Sequence, residues 1–422
     1  MTSPASSHNQ LRRQMGLTDA VVMGLGSMIG AGVFVAFGPA ARAAGSGLMV
    51  GLAIAAGVAY CNATSSARLA ALYPESGGTY VYGRRRLGDF WGYLAGWAFV
   101  VGKTASCAAI ALTVGSYTWP AHAHLVAVLA VLALTALNYF GVKKAIWATR
   151  AIVTFTLAVL ILVVIVCFVD LPASRPALDI SGGWSARGIL QAAGLLFFAF
   201  AGYARIATLG EEVRDPQVTI PRAIPLALGI TLCVYAAVAA AALLVLGPAT
   251  LAGSAAPLVD AVKTTNFGAL SPVVRVGAAC AALGSLLALI LGVSRTSFAM
   301  ARDGHLPRVL AAVHPRYQVP YRTEIVLGLV VAVLAATADV RSAIGFSSFG
   351  VLTYYGIANA SAITLTPAEH RPWRPLPLIG VVGCAVLAAS LPGSSVIAGL
   401  AVLALGAAAY GVRHVARRGA VA

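Results

Sequence analysis

Charge is scarce in this chain. Asp, Glu, Lys and Arg make up only 10% of its 422 residues, against 59% apolar ones, which excludes an ordinary soluble enzyme. Acidic residues are the scarcest, 13 against 29 basic ones. Cysteine is also sparse. Cys61, Cys107, Cys167, Cys233, Cys280 and Cys384 sit singly inside apolar stretches without metal-like spacing. They read as small buried hydrophobes, neither disulfides nor ligands. There is no nucleotide-binding phosphate loop, no histidine pair at helical metal-ligand spacing and no nucleophile elbow. A membrane-embedded enzyme is therefore poorly supported, and no cofactor or metal is expected. Short alternating segments of the β-barrel kind are absent. Residues 1–16 are polar and lack an apolar core before a small-residue cleavage site, so no cleaved signal peptide is expected.

What fills the chain is apolar runs of spanning length, which define an all-α polytopic membrane protein. Twelve spans are expected, near 17–41, 45–70, 90–117, 121–139, 146–169, 188–211, 222–246, 272–301, 323–340, 342–365, 375–391 and 393–412. No soluble domain is inserted between them. The net charge of +16 raises the question of nucleic acid, but the basic residues lie in short loops, where topology explains them better. With both tails and the even-numbered loops inside, 21 of the 29 basic residues are cytoplasmic and six are outside. Lys103 and Arg205 fall within spans. Both termini are accordingly expected in the cytoplasm of a multi-pass protein of the cell (plasma or inner) membrane.

The first span, Leu17–Phe37, carries Gly24, Gly26, Gly30 and Gly32 through its middle, where each costs about 1 kcal/mol of helix propensity. A broken backbone survives in lipid only where it is buried in protein or lines a cavity. The segment 194–212 shows a second interruption, five spans later and entering from the opposite side. Such a pair points to a secondary transporter built from an inverted repeat. The plainer alternative is that these glycines only let helices pack closely.

Four motifs then appear in order. They are Gly26-Ser27-Met28-Ile29-Gly30-Ala31-Gly32-Val33-Phe34, then Tyr73-Pro74-Glu75-Ser76-Gly77-Gly78-Thr79-Tyr80-Val81-Tyr82, then Phe197–Gly202 with Glu211-Glu212-Val213-Arg214-Asp215-Pro216 and Ile220–Pro225, and finally Ser294-Arg295 with Met300–Pro307. Over nearly its whole length the chain resembles the amino acid–polyamine–organocation (APC) superfamily of permeases. That resemblance implies a LeuT-type fold. Residues 17–169 and 188–365 would form 5+5 inverted repeats, 375–412 two further helices, and 1–16 and 413–422 cytoplasmic tails. It also implies that the α-carboxyl and α-amino groups of a substrate bind at the two breaks. Carried onto this chain, the substrate-binding residues are Ser27, Met28, Ile29, Gly30, Ala31 and Gly32, with Phe200, Ala201, Gly202 and Tyr203 opposite. The chemistry agrees, because amides at a half-helix N-terminus suit a carboxylate and freed carbonyls suit an ammonium.

Intramembrane charges are functional by default. Lys103 has no partner near it in sequence, whereas Arg205 could pair with Glu212. All thirteen carboxylates fall in loops or at span ends, so none is a proton carrier at mid-membrane. The resemblance implies an acidic residue in several members where this chain has Ala204 followed by Arg205, and that departure shifts expectation away from arginine, lysine or polyamine toward neutral amino acids or ones with an extra negative charge. The resemblance also implies a lysine in the fifth span of some members. This fifth span has none, which makes Lys103 the candidate coupling group for protons. Sodium remains open through Ser285 and backbone oxygens near Gly26. The loop Glu75–Arg86 reads either as a cytoplasmic gate or as a topology signal touching anionic lipid. The expected function is transport of amino acids or related amines by alternating access, with proton symport favoured over exchange or export. A substrate-gated channel or receptor on the same fold is the rival. Expected partners are a small-molecule substrate and the bilayer, with no nucleic acid; the oligomeric state is open.

Overall fold

A computed structural model describes residues 15–75, 77–141, 146–171, 185–207 and 213–419. Among them every regular element is a helix, and the one isolated β-bridge joins Met15 to Val213. The chain runs through α1 (Leu17–Met28), α2 (Ala31–Val35), α3 (Phe37–Ala44), α4 (Leu48–Leu72), α5 (Thr79–Leu87), α6 (Asp89–Thr118), α7 (Ala123–Tyr139) and α8 (Ile146–Val169). It continues through α9 (Ala186–Phe200), α10 (Ala204–Ala207), α11 (Pro216–Gly253), α12 (Pro257–Lys263), α13 (Ser271–Arg302), α14 (Tyr321–Thr337), α15 (Val340–Ile363), α16 (Pro375–Ser390) and α17 (Gly393–Gly419).

Nine segments among the described residues are long and apolar enough to cross a bilayer. Their ends follow simple capping chemistry. Proline occupies the first turn of α11, α12, α13 and α16, where its missing N–H costs nothing. Ser185 and Asp339 cap α9 and α15 by accepting from Gly188 N and Ser342 N. The chain is therefore a polytopic helical membrane protein, as its composition requires.

The expected interruption of the first span is real. Helix α1 stops at Met28, Ile29 and Gly30 leave helical geometry, and α2 starts afresh at Ala31. The expected second interruption lies at Ala201–Tyr203, a 3-10 turn between α9 and α10. Glu211 and Glu212, the latter the proposed partner of Arg205, lie outside the described residues.

Burial sorts the helices. In its most apolar stretch α6 is 83% buried, whereas that of α7 is only 17% buried. Helix α6, which carries Lys103, is thus at the centre of the bundle, and α7 faces outward. Two cysteines depart from expectation: Cys233 is exposed and Cys280 half-buried, while the other four are buried and all six are free thiols. Cys233 sits on the outer face of α11, where lipid in place of protein would cover it.

Candidate functional site

The two breaks touch. A methyl built on Gly202 would lie 2.2 Å from the Ser27 carbonyl oxygen, so only glycine permits this approach. A methyl on Gly30 would meet the Ser285 hydroxyl at 2.0 Å. Tyr235 on α11 binds the breaks to one another: its hydroxyl lies 2.5 Å from the Met28 carbonyl oxygen and 3.1 Å from that of Ala199. Tyr355 on α15 donates to the Ala201 carbonyl at 3.2 Å. Lys103 Nζ donates to the same oxygen at 3.3 Å.

A cavity of about 210 Å³ opens where these elements meet. Of the residues expected at the site, Ser27, Met28, Gly30, Ala31, Gly32, Ala201, Gly202, Lys103, Arg205 and Ser285 line it. Ile29, Phe200 and Tyr203 do not. Ile29 is buried in the core, the Phe200 ring packs on Tyr235 at 5.1 Å, and Tyr203 stacks on Tyr355 at 4.8 Å. Their rings hold the breaks in place from behind. The Ser27 hydroxyl donates to the Met23 carbonyl at 2.9 Å, so its proton belongs to its own helix and only its lone pairs face the cavity. Ser285 Oγ lies 3.5 Å from the Gly26 carbonyl oxygen.

Sequence reasoning missed Tyr235 and Tyr355. Each is a tyrosine inside an apolar run, and a buried hydroxyl in such a place must find a partner. That requirement was the available signal. It also missed Phe99, Ser106, Phe198 and Arg295, which complete the wall. A larger crevice of about 650 Å³ lies elsewhere, bordered by Trp97, Val100, Leu327 and Phe346, but no charged side chain lines it. It has nothing to offer a charged ligand.

The second motif joins the fourth at one end of the bundle. Arg84 on α5 pairs with Asp303 at 2.8 Å and Asp89 at 3.0 Å. Tyr80 donates to Asp303 at 2.6 Å, and its oxygen lies 2.8 Å from His305 Nδ1. Burial, then the Asp303 carboxylate, pushes the Tyr80 phenol up, so it stays protonated and remains a donor. Arg86 pairs with Glu369, and Arg85 with Glu75 at 3.1 Å. Gly77, from the same loop, reaches the cavity wall. The basic run of α5 is thus part of a tied cluster.

A multi-helix membrane protein with two broken helices meeting at a buried cavity has the form of a transporter. Comparison with known proteins bears this out: residues 15–409 match the family described as amino acid permease, and the chain belongs to that family, within the APC superfamily. It is similar to an uncharacterised transporter of Mycobacterium tuberculosis, 68% identical over 98% of this chain and 94% of that protein. It is also similar to a branched-chain amino acid permease of Bacillus subtilis, 26% identical over 96% of this chain and 89% of that protein. A methylthioribose transporter of the same organism is 28% identical over 97% and 95% of the two chains.

Proposed function

We propose that the protein is a secondary active permease that moves amino acids or related amines by alternating access around the breaks at 28–31 and 201–203. The observation that carries this reading is the meeting of both breaks at one cavity, with Gly202 against Ser27. In this reading twelve spans form a LeuT-type fold, with 17–169 and 188–365 as inverted repeats, 375–412 as two added helices, and 1–16 and 413–422 as tails. Both termini lie in the cytoplasm and the protein resides in the cell membrane. The cavity extends from the breaks to Gly77, Arg295 and Ala299, which this reading of the charge distribution takes as the cytoplasmic end. The conformation is accordingly read as inward-facing.

Substrate carboxylate sits at the start of α2, where amides lack helical acceptors. Proton symport is the favoured mode, with Lys103 as the coupling group. Supporting this, Lys103 is buried at the bundle centre and bonded to the Ala201 carbonyl, an acceptor expected to serve the substrate amine. Protonation of Lys103 and occupancy of that oxygen by substrate are thus linked, so that a proton held on the lysine can travel with the substrate. Sodium held by Ser285 and the Gly26 carbonyl is the second reading, favoured by their approach. Relatives at 26% and 28% identity with different named substrates support transport and leave the substrate open.

The test is uptake into proteoliposomes under an imposed pH gradient, after a thermal-shift screen of the twenty amino acids, polyamines and simple amines. Accumulation above the outside concentration is expected in wild type, and Lys103→Ala should lose the pH-gradient dependence. Equilibration without accumulation would instead identify a channel, and unchanged pH-gradient dependence in Lys103→Ala would remove the lysine from coupling.

A further inference from the structure

Among the described residues, the charged side chains that line the central cavity are all basic. Lys103, Arg205 and Arg295 line it, and among the described lining residues there is neither Asp nor Glu. Lys103 is the most buried of the three, 7% exposed, with its ammonium on the Ala201 carbonyl. Among the described residues no carboxylate is within ion-pair distance of it. Phe99, Ser106 and Phe198 share its wall, and Cys107 is the titratable group beside it on α6. Glu324 on α14 lies within Coulombic reach of Arg295 but stands outside the lining.

A zwitterionic amino acid adds no net charge to such a site. Its one carboxylate is offset by its own ammonium, and the lysine is still left without a counter-ion. A cationic side chain would face like charges in a medium that screens them poorly. A second carboxylate supplies the counter-ion that Lys103 lacks. We infer that the cavity selects substrates carrying one more negative than positive charge, acidic amino acids such as glutamate and aspartate, and that Lys103 sets this preference. The inference rests on the permease reading and narrows its substrate class.

Binding of L-glutamate, L-aspartate, L-glutamine, L-leucine and L-lysine to the purified full-length protein tests it, followed by uptake of the same five in proteoliposomes. Glutamate and aspartate should bind at least about tenfold more tightly than glutamine or leucine, with lysine weakest. Lys103→Gln should bring the glutamate-to-glutamine ratio to within about threefold, and Lys103→Arg should keep it. If Lys103→Gln does not fold, Arg295→Gln gives the same comparison from the cavity's other end and should also lower the ratio. Glutamine or leucine binding as tightly as glutamate in wild type overturns the inference and leaves the permease reading intact. A preference that survives both neutral variants overturns the role of these side chains. Failure of all five to bind or move overturns this inference, while the permease reading is decided by the wider screen of amino acids and amines.

Discussion

The Tyr235 hydroxyl, on α11, donates to the Met28 carbonyl across 2.5 Å, at the last residue of α1 before its break. The same oxygen stands 3.1 Å from the Ala199 carbonyl beside the other break. One side chain therefore shares its proton between the two interruptions, from a helix that is itself continuous there. An interrupted helix leaves carbonyls that must be satisfied inside a protein with no water to spare. Tyr235 satisfies them without filling the cavity.

Removing that hydroxyl gives the first prediction. In Tyr235→Phe the ring and its packing against Phe37 and Phe200 remain, but the Met28 carbonyl keeps only the Gly30 N–H as donor. Loss of such a hydrogen bond costs about 0.5–1.5 kcal/mol. The variant should melt several degrees lower and transport at least about tenfold more slowly. Unchanged melting and uptake together would show that the shared proton holds nothing.

Contact between the breaks gives the second. Gly202→Ala must push the Ser27 carbonyl aside from 2.2 Å. Backbone has no cheap way to yield, so uptake should fall to background even where the protein inserts. Gly229→Ala in α11, where a methyl meets nothing within 4 Å, is the control. It should stabilise by about 0.5–1 kcal/mol and leave uptake intact. Equal effects of the two substitutions would contradict the argument from contact.

The interrupted spans were legible because glycine in the middle of an apolar run is a local signal that needs no knowledge of neighbours. Gly30 and Gly202 could be picked out for that reason, and the family motifs placed them in order. The orientation of Phe200 and Tyr203 was not legible. Both lie next to a break, and a 3-10 turn in place of an α turn rotates each side chain by an amount that the sequence does not state. They turn to Tyr235 and Tyr355, residues tens to hundreds of positions away. Lys103 stood out as an intramembrane charge, yet its partner is a backbone carbonyl, which has no sequence signature. Glu324 was read as a span end and does lie in the first turn of α14, but it is wholly buried there.

The third prediction concerns the cluster on α5. Arg84 and Asp303 are partly exposed, with side-chain accessibilities of 36% and 28%, so their attraction is screened and worth about 0.5–1.5 kcal/mol. In a double-mutant cycle, Arg84→Gln and Asp303→Asn should couple by about that amount in thermal unfolding. Additive effects would mean the pair is incidental.

The pH dependence of the Arg86–Glu369 tie follows from its carboxyl. The Thr366 backbone N–H, followed by Arg86, holds Glu369 at about 2, below its usual 4.5. A depressed carboxyl stabilises the fold above its unfolded value, and the contribution is lost as pH falls from about 4.5 toward about 2. Between pH 5 and 8 the tie is constant. Glu369→Gln should therefore lower stability by the same amount at pH 5 and pH 8 and leave the shape of the uptake–pH profile unchanged. A profile displaced by this variant would assign the pH response to the loop and away from Lys103.

Glu324 supplies the last prediction. It is fully buried, and neither carboxylate oxygen has a hydrogen-bond partner among the described residues. Arg295 is the cation that acts on it, from α13 and without direct ion pairing. An ionised carboxylate in that position is under-satisfied, and a neutral isostere relieves the cost. Glu324→Gln should raise stability by about 1–3 kcal/mol, measured by thermal unfolding in the same detergent. It should also leave Arg295 less neutralised, which would tighten glutamate binding relative to glutamine. A destabilised variant would overturn this argument, because it would show that the buried carboxylate carries no cost that a neutral side chain relieves.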